Sequence, residues 1–162
     1  MSGNADRYGR ERLYLQFRIG ADRYALDCAL VVEVLGPAPI KQLPGTPVWV
    51  LGLLDYRGHP LPVVDVSAAA GEGAAPRLTS TRIVVVRPFG QESARLLGLL
   101  LEGVTDTLRL DPDRFEPGGL RQDGAPFLGP VIRDARGLIQ RADLDRLLDD
   151  EVKALLYPEP AP

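Results

Sequence analysis

Residues 49–66, WVLGLLDYRGHPLPVVDV, decide the fold. An apolar run from Trp49 to Leu54, interrupted only by Gly52, enters the polar turn Asp55-Tyr56-Arg57-Gly58. A second run, Leu61 to Val66, leaves it with Pro62 inside and Asp65 near its end. Two short β-rich runs on either side of a Gly-containing turn spell a β-hairpin. Pro60 and Pro62 carry no backbone N–H, which places the return strand at a sheet edge or gives it an irregular start. Arg57 is the odd residue, a charge at the tip of a hairpin that otherwise asks for burial. It can face solvent or a partner.

Residues 127–144, FLGPVIRDARGLIQRADL, repeat this stretch more weakly. Leu51-Gly52 matches Leu128-Gly129, Arg57-Gly58 matches Arg136-Gly137, and Asp65 falls opposite Asp143. Upstream, Leu13 to Cys28 and Arg82 to Val104 each read strand, turn, strand, followed by a Val-containing run that ends in turn residues. A period of about half the chain is far longer than that of a solenoid. It predicts two similar small β-modules fused into one unit.

The other elements follow from periodicity. Leu13, Leu15, Phe17 and Ile19 alternate with Tyr14, Gln16 and Arg18, the pattern of a half-buried strand. Gly20 to Arg23 makes the turn, Tyr24, Leu26 and Cys28 alternate on the way back, and Ala29 to Val32 reads as a helical turn before a strand through Val34. Ser67 to Ala75 is small and Gly-rich, a mobile surface loop. Ile83 to Val86 does not alternate and reads as a strand buried on both faces. Asp111 to Pro126 is a second long loop. A helix closes the chain, with Leu144, Leu147, Leu148, Val152, Leu155 and Leu156 on one face, Asp143 as N-cap, and Pro158 as its stop. The expected core contains Leu15, Phe17, Leu26, Leu53, Val64, Val84 and Leu99. Residues 1–11 form a disordered lead-in, 12–157 the folded domain and 158–162 a Pro-rich tail.

Composition narrows the function. With 162 residues, 45% hydrophobic and 25% charged, the chain is long enough for a real core and is not disordered. A net charge of -3 offers no basic stripe for nucleic acid. One cysteine forms no internal disulfide, the N-terminus lacks an apolar signal segment, and no apolar run approaches a membrane span. The reading is a soluble, cytoplasmic protein without membrane insertion.

Catalytic constellations are sparse. The single histidine, His59, sits in a turn between Gly58 and Pro60 and reads as solvated. There is no G-x-S-x-G, no Walker loop and no G-x-G-x-x-G. One Cys and one His do not make a zinc site. Pairs such as Asp143 and Asp145, or Asp149 and Asp150, mark the solvated start of an acidic helix. Cys28 reads as a buried structural thiol. No cofactor, metal or catalytic residue is expected, and a β-rich chain of this kind more often presents a surface to partners.

Six motifs in order carry a family likeness: FRIGADRYALD, Val31-Val32-Glu33-Val34, Pro47, VLGLLDYRGHPLPVVD, RIVVV with LLGLLLEGVTDTLRL, and LGPVIRDARGLIQRADLDRLL. In them the chain resembles the CheW-like family of bacterial chemotaxis coupling proteins, from Leu13 to Leu156. The resemblance implies a mainly β fold of two intertwined five-stranded SH3-like β-barrels with a C-terminal helix. It implies a non-catalytic adaptor that binds the cytoplasmic tip of a methyl-accepting chemoreceptor and the regulatory domain of a CheA-type histidine kinase. Such an adaptor sits at membrane-associated receptor arrays through its partners. The chain departs from the family where Asn-Leu before Arg-Gly becomes Asp55-Tyr56, and where Gln140-Arg141 interrupts the last strand. The pattern is also similar to adaptors of non-flagellar, surface-sensing pathways.

Arg57 matches the signature arginine and Glu33 the strand acid. The expected partner-binding set is Arg57, Glu33, Val31, Gly52 and Ile83, with Arg57 and Glu33 paired across neighbouring strands. Two other classes compete: a small-molecule-binding or enzymatic β-barrel, which a deep polar pocket with perturbed acids would support, and an excised regulatory module of a histidine kinase.

Overall fold

The computed structural model describes residues 10–118 and 125–159. Much of the expected lead-in and tail, and the middle of the 111–126 loop, lie outside them. Ten strands are present: β1 (Arg12–Ile19), β2 (Asp22–Asp27), β3 (Val31–Leu35), β4 (Val50–Tyr56), β5 (His59–Asp65), β6 (Arg82–Val86), β7 (Leu97–Leu101), β8 (Thr107–Leu110), β9 (Leu128–Asp134) and β10 (Gly137–Ala142). They form two five-stranded sheets, ordered β8-β1-β2-β10-β9 and β3-β6-β7-β5-β4. Each sheet closes on itself through one further bridge. Lys41 and Leu53 exchange backbone hydrogen bonds of 2.8 Å in the second sheet, and Glu116 and Val131 exchange bonds of 2.7 and 2.8 Å in the first.

The repeat is real, but its halves are not the folded units. The first barrel takes β1 and β2 from the first half of the chain and β8 to β10 from the second; the second barrel takes β3 to β5 and β6 with β7. The junctions are parallel pairs, β2 with β10 and β7 with β5, whereas every other pair is antiparallel. Neither half carries a complete barrel, so the two must fold together.

This exchange creates three apolar clusters. Leu54, Tyr56, Leu61, Val63, Ile83, Val85 and Leu100 fill the second barrel. Tyr14, Ala25, Leu110, Ile132 and Ile139 fill the first. The largest lies between the barrels and includes Leu15, Phe17, Leu26, Val64, Val84, Val86 and Leu99. Central strands therefore bury both faces. In β6, Ile83 and Val85 point into the second barrel while Val84 and Val86 point between barrels. In β1 the expected half-buried alternation is replaced by four consecutive buried residues, Tyr14 to Phe17, while Leu13 is exposed.

Three local readings need correction. Leu53 is only half-buried, because Val50, Gly52, Leu54 and Tyr56 are the inward residues of β4. The run is apolar on both sides of the register, so composition alone did not select the face. Ser67 to Ala75 is pinned: a short helix, Val66–Ala69, opens it, and Asp65 accepts from the Ala68 amide at 3.2 Å and the Ala75 amide at 2.9 Å. The closing helix runs only over Asp150–Leu156, capped by Asp149, which accepts from the Val152 amide at 2.8 Å. Asp143 makes no cap there. Its carboxylate receives Arg141 at 2.6 Å.

A charged knot ties β1, β2 and β9 of the first barrel together. Arg23, its side chain 9% exposed, donates to both carboxylate oxygens of Asp134 at 2.8 and 2.7 Å and to Gln16 Oε1 at 3.1 and 3.2 Å. Those bonds hold the Asp134 carboxyl at about 2, below its ordinary 3.8. A depressed carboxyl stabilises the fold above its unfolded value and loses that contribution as pH falls through its folded one. Acid unfolding should therefore draw on Asp134 between about pH 4 and pH 2. Asp134→Asn should lose about 1 kcal/mol at neutral pH and show a flatter stability profile across that window in denaturant titrations. An unchanged profile would place the acid sensitivity elsewhere.

Candidate functional site

The β4–β5 hairpin turns in two residues. Tyr56 and His59 pair across it, and Arg57 and Gly58 between them take φ of 52° and 82°. Two positive φ values at the central positions are the mark of a type I′ turn, whose twist matches that of the strands. Glycine takes that region freely; an L side chain pays about 1 kcal/mol. Arg57 is the one non-glycine with positive φ among the described residues. Asp55 steadies the turn by accepting from the Gly58 amide at 2.9 Å.

Around that turn three side chains converge. The Arg57 guanidinium donates to Glu33 Oε2 at 2.9 Å. The Tyr56 hydroxyl donates to the same oxygen at 2.5 Å, and the guanidinium carbon lies 5.2 Å from the Tyr56 ring centroid. The hydrogen bond to Glu33, then burial, pushes the Tyr56 phenol pKa up. The Arg57 side chain is 72% exposed and that of Glu33 34%. An exposed pair of this kind contributes about 0–1 kcal/mol to folding. Its rigidity is thus worth little to stability and leaves a fixed charge facing outward.

Glu33 and Arg57 do meet, but not across neighbouring strands. β3 and β4 are opposite edges of one sheet, and barrel closure brings them together. An irregularity in the β3 register between Val31 and Glu33 sets Glu33 opposite Val85, at the barrel rim. Val31 stands two residues away, half-buried against the inter-barrel core. Gly52 and Ile83 are interior. Ile83 is 2% exposed inside the second barrel, and Gly52 is buried at the β4 irregularity, where a Cβ would lie 1.9 Å from the Lys41 carbonyl oxygen. Neither belongs to the exposed surface around Arg57.

The pairing of Tyr56 with Glu33 lies beyond the reach of local sequence patterns. The available signal was a hydroxyl-bearing aromatic ending an apolar run, but the partner is 23 residues away on another edge. Val32 and Val34, the residues on either side of Glu33 in β3, are exposed at 39% and 45%.

A family model described as CheW-like domain matches residues 13–152. The chain belongs to the CheW-like family. This CheW-like chain is 34% identical over 109 residues to the chemotaxis protein CheW of Rhizobium meliloti (strain 1021), covering 67% of this chain and 66% of that one. It is 26% identical over 148 residues to the chemotaxis protein CheW of Klebsiella aerogenes, covering 88% and 85%. Protein FrzA of Myxococcus xanthus is 29% identical over 115 residues, 71% of this chain and 69% of that one. The match thus spans about two thirds of the length of the Rhizobium meliloti relative. Among solved structures, the scaffolding protein TtCheW from Thermoanaerobacter tengcongensis superposes with a TM-score of 0.76 at 25% identity, over 86% of this chain and 88% of that one. The fold is therefore the intertwined pair of five-stranded SH3-like barrels that the resemblance implied.

Other groups in the CheW-like chain are occupied or dispersed. Cys28 is half-buried rather than buried, and burial followed by the Asp27 charge pushes its thiol pKa up, away from the reactive thiolate. His59 is exposed at the turn. Among the described residues no group of three or more His, Cys, Asp or Glu could hold a metal ion, and no helix is long and apolar enough to cross a membrane. An apolar cleft of about 320 Å³ is lined by Pro37, Leu78, Thr81, Ile83 and Leu100, with Arg77 and Arg82 beside it. Asp134, the carboxyl held low by Arg23, lines no part of it.

Proposed function

We propose that this chain is a non-catalytic chemosensory adaptor. It couples the cytoplasmic tip of a methyl-accepting chemoreceptor to the regulatory domain of a CheA-type histidine kinase, with Arg57 and Glu33 at the hairpin tip as a partner contact. One observation carries the site: an arginine in a left-handed conformation, braced by an acid and a ring, and worth little to folding. Rigid β elements hold such a group well. Val31 borders the contact, while Gly52 and Ile83 support it from within. The pathway extends to non-flagellar, surface-sensing systems, a reading supported by the similarity to Protein FrzA.

Recruiting a receptor changes kinase output only if the adaptor binds the kinase-on and kinase-off arrangements differently. A reversed charge at the tip should therefore act on binding and not on folding. Arg57→Glu should leave the thermal midpoint nearly unchanged and cost about 2 kcal/mol or more in capture of one of the two partners, roughly a thirtyfold loss. Pull-down titrations with a receptor cytoplasmic fragment and with a kinase regulatory domain read this directly. Wild-type affinity for both would make Arg57 a bystander; unfolding would make it structural.

A further inference from the structure

Tyr56 does at the hairpin tip what an apolar residue of similar bulk would not. Its ring packs inside the second barrel with Leu54, Leu61, Val63 and Val85, and the residue is only 9% exposed. Its hydroxyl reaches the rim and donates to Glu33 Oε2 at 2.5 Å, the oxygen that also accepts from Arg57 at 2.9 Å. The outer part of the same ring lies under the Arg57 guanidinium, 5.2 Å from centroid to guanidinium carbon. One buried residue thus holds both the acid that the arginine meets and the surface it rests on.

We propose that Tyr56 is a positioning residue and a specificity determinant for the partner contact. Its hydroxyl fixes Glu33 and its ring backs Arg57, so that the guanidinium is ordered before a partner arrives. The proposal rests on the reading of Arg57 as a contact. A free arginine would surrender its rotamer freedom on docking; a braced one has already done so. One N–H group of Arg57 is committed to Glu33, and the guanidinium carries five N–H donors in a fixed fork. The partner chemistry that suits the remaining donors is a carboxylate or carbonyl oxygen approaching from the open side. Where leucine precedes the Arg-Gly turn, no hydroxyl is available to hold the acid. Tyrosine at this position therefore sets a stricter geometry on what can dock.

A double-mutant cycle in the full chain tests this, with Tyr56→Phe, Arg57→Ala and the two combined. The probes are a methyl-accepting receptor cytoplasmic fragment and a CheA-type regulatory domain from the same organism as the chain. Tyr56→Phe keeps the ring and should weaken binding to the partner that Arg57 serves by about three- to tenfold. In the Arg57→Ala background it should change affinity no further. Side-chain ¹⁵N relaxation of the Arg57 Nε in the free protein should show an ordered group that becomes mobile in Tyr56→Phe.

The outcomes separate. If Arg57→Ala alone binds both probes as wild type does, the reading of the tip as a contact fails. If Arg57→Ala weakens binding while Tyr56→Phe does not, that reading stands and the positioning role is overturned. If Tyr56→Phe weakens binding equally in both backgrounds, or leaves the Arg57 Nε as ordered as before, Tyr56 acts by some means other than positioning Arg57, and the proposal is likewise overturned.

Discussion

Phe17→Ala should lower the unfolding free energy by about 3–5 kcal/mol. Phe17 is 1% exposed and stands in the cluster between the barrels, its ring 5.5 Å from that of Tyr24 at an interplanar angle of 23°. Removing it forfeits the transfer free energy of the ring and leaves a cavity walled by two sheets. β-sheet backbones joined by ladders on both sides relax little into such a space, so the cost should fall in the upper part of the range. Because strands from both halves of the sequence line this cluster, the whole chain should remain one cooperative unit. Urea melts should show a lower midpoint with an unchanged slope. A loss below 1 kcal/mol would mean that Phe17 does not face the shared core. A second transition would mean that the barrels unfold separately.

Gly52→Ala should cost about 3 kcal/mol or more, although it adds a single methyl group. Two effects combine. Gly52 has φ of 138°, a region that L residues rarely enter. A Cβ there would lie 1.9 Å from the Lys41 carbonyl oxygen, 2.7 Å from its carbonyl carbon and 3.0 Å from the Gln42 Cα. These are backbone atoms, and Lys41 is the residue whose bridge to Leu53 closes the second barrel. Relief of the clash requires opening that bridge. Gly58→Ala is the control: its φ is 82°, but no atom lies within 4 Å of a Cβ placed there. It should cost only about 1 kcal/mol, the conformational penalty alone. Chemical denaturation of both variants checks the order. Equal losses would show that the Lys41 strap yields easily and that Gly52 matters only for its φ.

Local features were legible in the order of the residues. Alternation and apolar runs located the strands, the turn residues placed the hairpins, and the unalternating run Ile83 to Val86 already announced a strand with two buried faces. The matching pairs Leu51-Gly52 with Leu128-Gly129 and Asp65 with Asp143 carried the internal symmetry. A charge at residue 57, between two runs that demand burial, marked the tip as the place to look for a partner. Each of these depends on neighbours a few residues apart, whose spacing is written directly in the chain.

Features that depend on distant neighbours emerge only when the chain folds. Which strands share a barrel follows from the parallel pairing of β2 with β10 and of β5 with β7, contacts between opposite ends of the repeat. Leu54 rather than Leu53 faces inward, in a strand whose Gly52 admits the close approach of Lys41. Asp143, a plausible cap by composition, is drawn to Arg141, and Asp149 caps the helix instead. The pairing of Glu33 with Tyr56 and Arg57 joins opposite sheet edges that meet only when the barrel closes. Side-chain chemistry names the groups able to pair; closure of the backbone selects which ones do, because an ion pair or hydrogen bond forms only over the few ångströms that closure leaves between them.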